Sequence, residues 1–179
     1  MHIARTRLLY LMAGVTLGHL LMGALPLAAQ ADCKVILDAE EKGLNTPSHQ
    51  YVTGNTGGKA VTSELIYAAG NIYMLINGKW ISSGTTKDVE QLMQKNLQNP
   101  KASKPVCSHL KDELVNGELA GVYTSSEVVA SGGKVTTQVW ISKTKGLPLR
   151  QEVDIEVAGS KSKSHNSVRF EYGNIKPPI

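Results

Sequence analysis

Apolar and charged side chains alternate along residues 147–158. Leu149, Val153, Ile155 and Val157 share one parity, and Arg150, Glu152, Asp154 and Glu156 share the other. A period of two places one face of a strand on a core and the other in water. The pattern predicts further strands at Val106–Val115, Leu119–Ala130, Lys134–Lys143 and Ser167–Tyr172, with Ser160–Asn166 as a polar loop. An earlier group is predicted at His49–Thr53, Lys59–Ala69, Ile72–Ile76 and Lys79–Ser82. Turn residues separate them: Asn55-Thr56-Gly57-Gly58, Gly70-Asn71, Asn77-Gly78, Asn116-Gly117 and Gly132-Gly133.

Two stretches change period. Asp32–Lys42 predicts a short helix capped by Asp32 and stopped by Gly43, with Val35, Ile36 and Ala39 facing the core. Thr85–Leu97 predicts a second helix. Thr85 and Asp88 form a capping box, Val89, Leu92, Met93 and Leu97 form a stripe, and Asn99-Pro100 ends it. The chain therefore reads as helix, meander, helix, meander.

Tight turns fix registers. With Asn77-Gly78 as the turn, Ile76 faces Lys79, Leu75 faces Trp80 and Met74 faces Ile81. Met74, Ile76 and Ile81 then lie on one face, and Tyr73, Leu75 and Trp80 on the other. Both faces are apolar, so one meets a helix or a cavity as well as the core. With Gly132-Gly133 as a turn, Val128 faces Thr137 and Ala130 faces Val135. That register groups Val122, Val128, Val135, Val139 and Ile141 as core. It sets Trp140 opposite Ser125, near Tyr123, on a mixed face. Arg169 is expected to reach Glu152 or Asp154 across the sheet.

The first residues change the cellular picture. Arg5 and Arg7 precede an apolar run from Leu8 to Leu27, and Ala29 and Ala31 are spaced as a cleavage site. This is the layout of a secretory signal peptide over residues 1–31, leaving residues 32–179 as one domain without a stable membrane span. The alternative, an uncleaved anchor, is weakened by Gly14, Gly18, Gly23 and Pro26. Asp32 before Cys33 argues against a lipid anchor. The full chain carries +4, and removing the two arginines leaves +4 − 2 = +2. That near-neutral charge, with no basic stripe, excludes nucleic acid as an expected partner. In an oxidising compartment Cys33 and Cys107 read as one disulfide.

No catalytic constellation appears. His49, His109 and His165 are scattered without metal-ligand spacing, and no nucleophile motif is present. Asp154 and Glu156 read as solubilising carboxylates on a strand. No cofactor, metal or enzymatic activity is expected. Tyr73, Leu75, Trp80 and Met93 are the candidates to line a ligand cavity, and sheet-to-helix core is their alternative role.

Trp140-Ile141-Ser142, Gly146-Leu147-Pro148-Leu149-Arg150-Gln151-Glu152, and Tyr172-Gly173-Asn174-Ile175 ahead of Pro177 resemble the last third of LolA/LolB-like proteins, periplasmic carriers and receptors of lipoproteins. The resemblance implies an α+β, mainly β fold. It is a strongly curved antiparallel sheet, an incomplete barrel of two meanders, with helices packed in or over the concave face. It also implies a periplasmic or secreted protein that holds a lipid, an acyl chain or a lipidated partner. A structural or interaction protein of the cell envelope, with a filled core, is the alternative reading.

Overall fold

The computed structural model describes residues 27–56, 59–97, 103–129, 131–159 and 163–179. The basic and apolar part of the expected signal peptide, the expected Gly57-Gly58 turn and Asn99-Pro100 stop, Ala130 and Ser160–Ser162 lie outside them. Helix α1 spans Leu27–Leu44. Strands β1 (Ser48–Thr56), β2 (Lys59–Ala68), β3 (Asn71–Ile76) and β4 (Lys79–Thr85) follow. Helix α2 spans Thr86–Leu97. The second group comprises β5 (Val106–Val115), β6 (Glu118–Val128), β7 (Lys134–Ser142), β8 (Pro148–Glu156) and β9 (Lys163–Tyr172).

All nine strands join one antiparallel sheet in the order β4-β3-β2-β1-β9-β8-β7-β6-β5. The two meanders meet where β9 pairs with β1, Val52 facing Val168 and Gln50 facing Phe170. The sheet is not closed, and β4 and β5 are its edges. The fold implied by the resemblance, an incomplete barrel with helices on one face, is the fold of this chain.

Helix α1 shows why the sheet curls. Near its start Cys33 is bonded to Cys107 of β5, with the Cα atoms 5.2 Å apart. At its end Leu44 joins Leu65, Tyr67, Ile72 and Met74 of β2 and β3. From Cys33 to Leu44 a helix rises about 16 Å. Six strand spacings from β5 to β2 cover about 29 Å on a flat sheet. The helix meets both only because the sheet wraps around it. The face against α1 is called inner below.

Local chemistry agrees with the predicted turns. Asn77 and Gly78 both have positive φ, 51° and 74°, and the β3–β4 register is the expected one. The capping box forms: the Asp88 carboxylate accepts from Thr85 N at 2.9 Å, and Thr85 Oγ1 accepts from Asp88 N at 3.2 Å.

Other expectations are corrected. The β6–β7 connection is not a two-residue turn. Val129 N donates to Gly133 O and closes a longer loop. Val128 therefore faces Lys134, and Tyr123 faces Val139. This odd shift exchanges the faces. Val122 lies opposite Trp140, not beside Val139, and clusters with Ala120, Trp140 and Leu149 on the outer face. Trp140 is buried there, beneath the Arg150 guanidinium 4.7 Å from its ring centroid. A bulge between Trp140 and Ile141 moves Leu149 into that outer cluster. Strand β8 stops at Glu156, which leaves Val157 exposed. Val35 is also exposed, and Cys33 takes its place on the buried stripe of α1. Arg169 turns along its own strand to Glu171 and lies over the Tyr51 ring, while Glu152 pairs with Arg150. Strand β9 begins at Lys163, so part of the expected polar loop is strand.

Candidate functional site

The inner face has two unlike parts. Under α1, Cys33, Ile36 and Ala39 are buried against Cys107, Val139 and Ile141, with Tyr123 at the margin. Small and branched side chains fill this half. At the other end, Leu65, Tyr67, Ile72 and Met74 form a buried apolar wall, extended by half-buried Val52 and Ile76. Its cover is α2, through half-buried Val89 and Met93. Leu92, the third residue of the predicted stripe, is exposed. The side chain of Leu97 is not described.

An opening leads toward this wall. It is a shallow pocket of about 70 Å³ where the end of α1 (Leu44, Asn45, Thr46), the β2–β3 turn (Tyr67 to Gly70) and Thr86 of α2 converge. Gly70 fits there because its φ is 75°. Burial pushes the Tyr67 phenol up to about 12, and the other residues of the wall, Leu65, Ile72 and Met74, do not ionise.

Between the two parts the inner face is polar but largely neutral. Ser125, Thr137 and Asn166 are buried. They share one row, with Ser125 facing Thr137, Thr137 facing Val153, and Val153 facing Asn166. Glu40 of α1 enters here and accepts from Gln151 Nε2 at 3.4 Å. Burial first, and then the nearby Glu127 charge, raise its carboxyl to about 8. Burial raises Glu127 to about 7. The Asn166 Oδ1 and Glu127 Oε1 atoms are buried without a hydrogen-bond partner among the described residues.

The four predicted lining residues do not share one space. Met93 reaches the inner wall. Tyr73 lies on the outer face in a cluster with Ile66 and Ala68, and Trp80 packs against it beside Ile175 of the C-terminal segment. Leu75 is half-buried opposite Trp80. Cys33 and Cys107 form the predicted disulfide. Glu40 was not among the sequence candidates, yet its spacing announces it: Cys33, Ile36, Glu40 and Leu44 follow one helical stripe. Glu127 escaped because its face depends on the misread β6–β7 register.

The histidines remain apart. His49 Nε2 lies 2.8 Å from Glu64 on the outer face, and its Nδ1 lies 3.2 Å from the Tyr51 hydroxyl. His109 pairs with Asp112, and His165 with Asp154. No group of three His, Cys, Asp or Glu side chains among the described residues is arranged to hold a metal. Nor is any described helix long and apolar enough to cross a membrane.

No family model matches this chain, and no curated protein matches it. Solved structures resemble it at low identity. The Mycobacterium tuberculosis lipoprotein LppX is 11% identical, covering 85% of this chain and 98% of its own, at a TM-score of 0.46. A chain of the Pseudomonas aeruginosa MucA/MucB complex is 12% identical, covering 81% of this chain and 58% of its own, at 0.47. A LolA superfamily protein from Nitrosomonas europaea is 8% identical, covering 86% of this chain and 96% of its own, at 0.30. These are likenesses of strand and helix arrangement and assign no activity.

Proposed function

We propose that this chain is an exported, non-enzymatic binding protein that holds an acyl chain, free or carried by a lipidated partner, between the β1–β3 wall and helix α2. The observation that carries this reading is the asymmetry of cover. A continuous apolar wall is roofed by one amphipathic helix through two half-buried side chains. One of these is Met93, and methionine repacks against varied shapes at little cost. The neutral state of Tyr67 and the raised Glu40 carboxyl support an uncharged ligand. Export rests on the basic, apolar and Ala-x-Ala segments of residues 1–31.

The described opening favours a second reading. A pocket of about 70 Å³ is well below the ~300 Å³ or more of ligand sites. For a chain to enter, α2 must lift. If it stays seated, the protein is an envelope interaction module with a filled core. Uptake of a fluorescent fatty acid, with mass spectrometry of an organic extract of the purified protein, separates the two. We expect saturable uptake that Met74→Trp, which fills the wall, abolishes while the fold is retained. Absence of both co-purified lipid and uptake sinks the carrier reading.

A further inference from the structure

The two sheet edges are treated differently. Strand β4 is short, and its end is taken up by Gly84 and the α2 capping box. Strand β5 is longer and guarded only over its first half. There the disulfide anchors Cys107, Asp32 Oδ2 accepts from His109 N at 3.0 Å, and a bulge at Leu110 interrupts the register. From Lys111 to Val115 the pairing with β6 is regular, and among the described residues no further strand lies beyond. Leu110 is 51% exposed and Leu114 70% exposed on or beside this open run, and Leu119 opposite Leu114 is also exposed. A regular strand edge flanked by exposed leucines is a template for another strand.

We infer that β5 is a self-association edge, pairing antiparallel with β5 of a second copy about a two-fold axis at Asp112. The sequence is complementary to itself in that register. Lys111 faces the partner's Glu113 and Glu113 faces the partner's Lys111, with the exposed Leu110 and Leu114 flanking these pairs. Lys111 and Glu113 already form an ion pair within one chain. The axis therefore creates a four-charge square of alternating sign on the outer side. Symmetric pairing centred on Lys111 or Glu113 loses both of these Lys–Glu cross pairs and still sets like charges against each other at the axis. The two Asp112 side chains approach at the axis, but each is already paired with its own Lys143 and His109. A two-fold contact uses one patch twice, so this run needs no other partner.

Sedimentation of the full-length mature chain across the micromolar range tests the inference, with circular dichroism confirming the fold of each variant. The wild type should show a concentration-dependent dimer. Lys111→Glu, which sets two pairs of like charges together, should weaken it about tenfold or more. Leu114→Asp should abolish it. Asp112→Cys reads the register directly, since opposite residues on paired strands lie within disulfide reach. It should form a covalent dimer under oxidation while Ser108→Cys, far from the axis, does not. A wild type that stays monomeric throughout, a dimer indifferent to Lys111→Glu and Leu114→Asp, or Asp112→Cys linking no faster than Ser108→Cys would each overturn it.

Discussion

The half of the sheet under α1 and the half under α2 have the same strand chemistry and opposite interiors. Under α1, a covalent bond, a fully buried Ile36 and close-fitting Val139 and Ile141 leave no give. Under α2, an equally apolar wall meets a helix whose contact residues are half in water. Packed interiors are costly to disturb, and lightly held elements are the ones that open. The difference separates a frame from a cover.

The disulfide is where breaking the frame should show the largest effect. Its closure spans 74 residues. The chain-entropy model gives such a loop about 4–5 kcal/mol of stability. Replacing both cysteines by alanine should lower the unfolding free energy by about 4 kcal/mol in denaturant titration. A loss below about 1 kcal/mol would mean that α1 holds its place by packing alone. Ile36→Ala acts on the same half without touching the bond. As a fully buried isoleucine truncated in a dense core, it should cost about 3 kcal/mol.

Protonation probes the frame from its polar side. The folded pKa values of Glu40 and Glu127, about 8 and about 7, lie above those of the unfolded chain. The folded state therefore binds more protons in the window between about pH 4.5 and pH 8, and stability falls as pH rises through it. We expect a loss of several kcal/mol between about pH 5 and pH 8.5 from these carboxyls, at about 1.4 kcal/mol for each unit by which a folded pKa exceeds the unfolded one. Thermal melts should show a lower Tm at the alkaline end, and Glu40→Gln should flatten most of that slope. A Tm independent of pH in the wild type would remove the buried-carboxyl account.

What the sequence could tell about these halves follows from the kind of information each needed. Strand positions came from a two-residue period that burial on one face enforces, and the β3–β4 register came from a turn with only one geometry. The β6–β7 register was lost because Gly132-Gly133 does not declare its loop length, and the odd shift turned Val122 to the face of Trp140, opposite that of Val139. The junction of β1 with β9 left no local mark, since pairing across most of the chain is not written in short-range spacing. The disulfide was legible from compartment and count. The cavity candidates were only partly so: helical and strand periods place Met93 and Tyr73 on faces of their own elements, but not on the same side of the sheet.

That separation yields the smallest effect in stability and the sharpest test of the cover. Met93 is half-buried on α2, so Met93→Ala removes part of a contact and leaves a site that water can fill. It should cost about 1 kcal/mol or less, below the range for a fully buried methionine. Trp80 is half-buried on the outer face beside Ile175, and Trp80→Ala should cost more, about 2 kcal/mol. Ligand uptake should reverse this order. Losing Met93 alters the roof over the inner wall and should change fatty-acid affinity several-fold. Losing Trp80, across the sheet, should leave affinity unchanged at temperatures where the variant is folded. If Trp80→Ala removes uptake and Met93→Ala does not, the ligand lies on the outer face. The contrast between frame and cover would then describe folding stability alone.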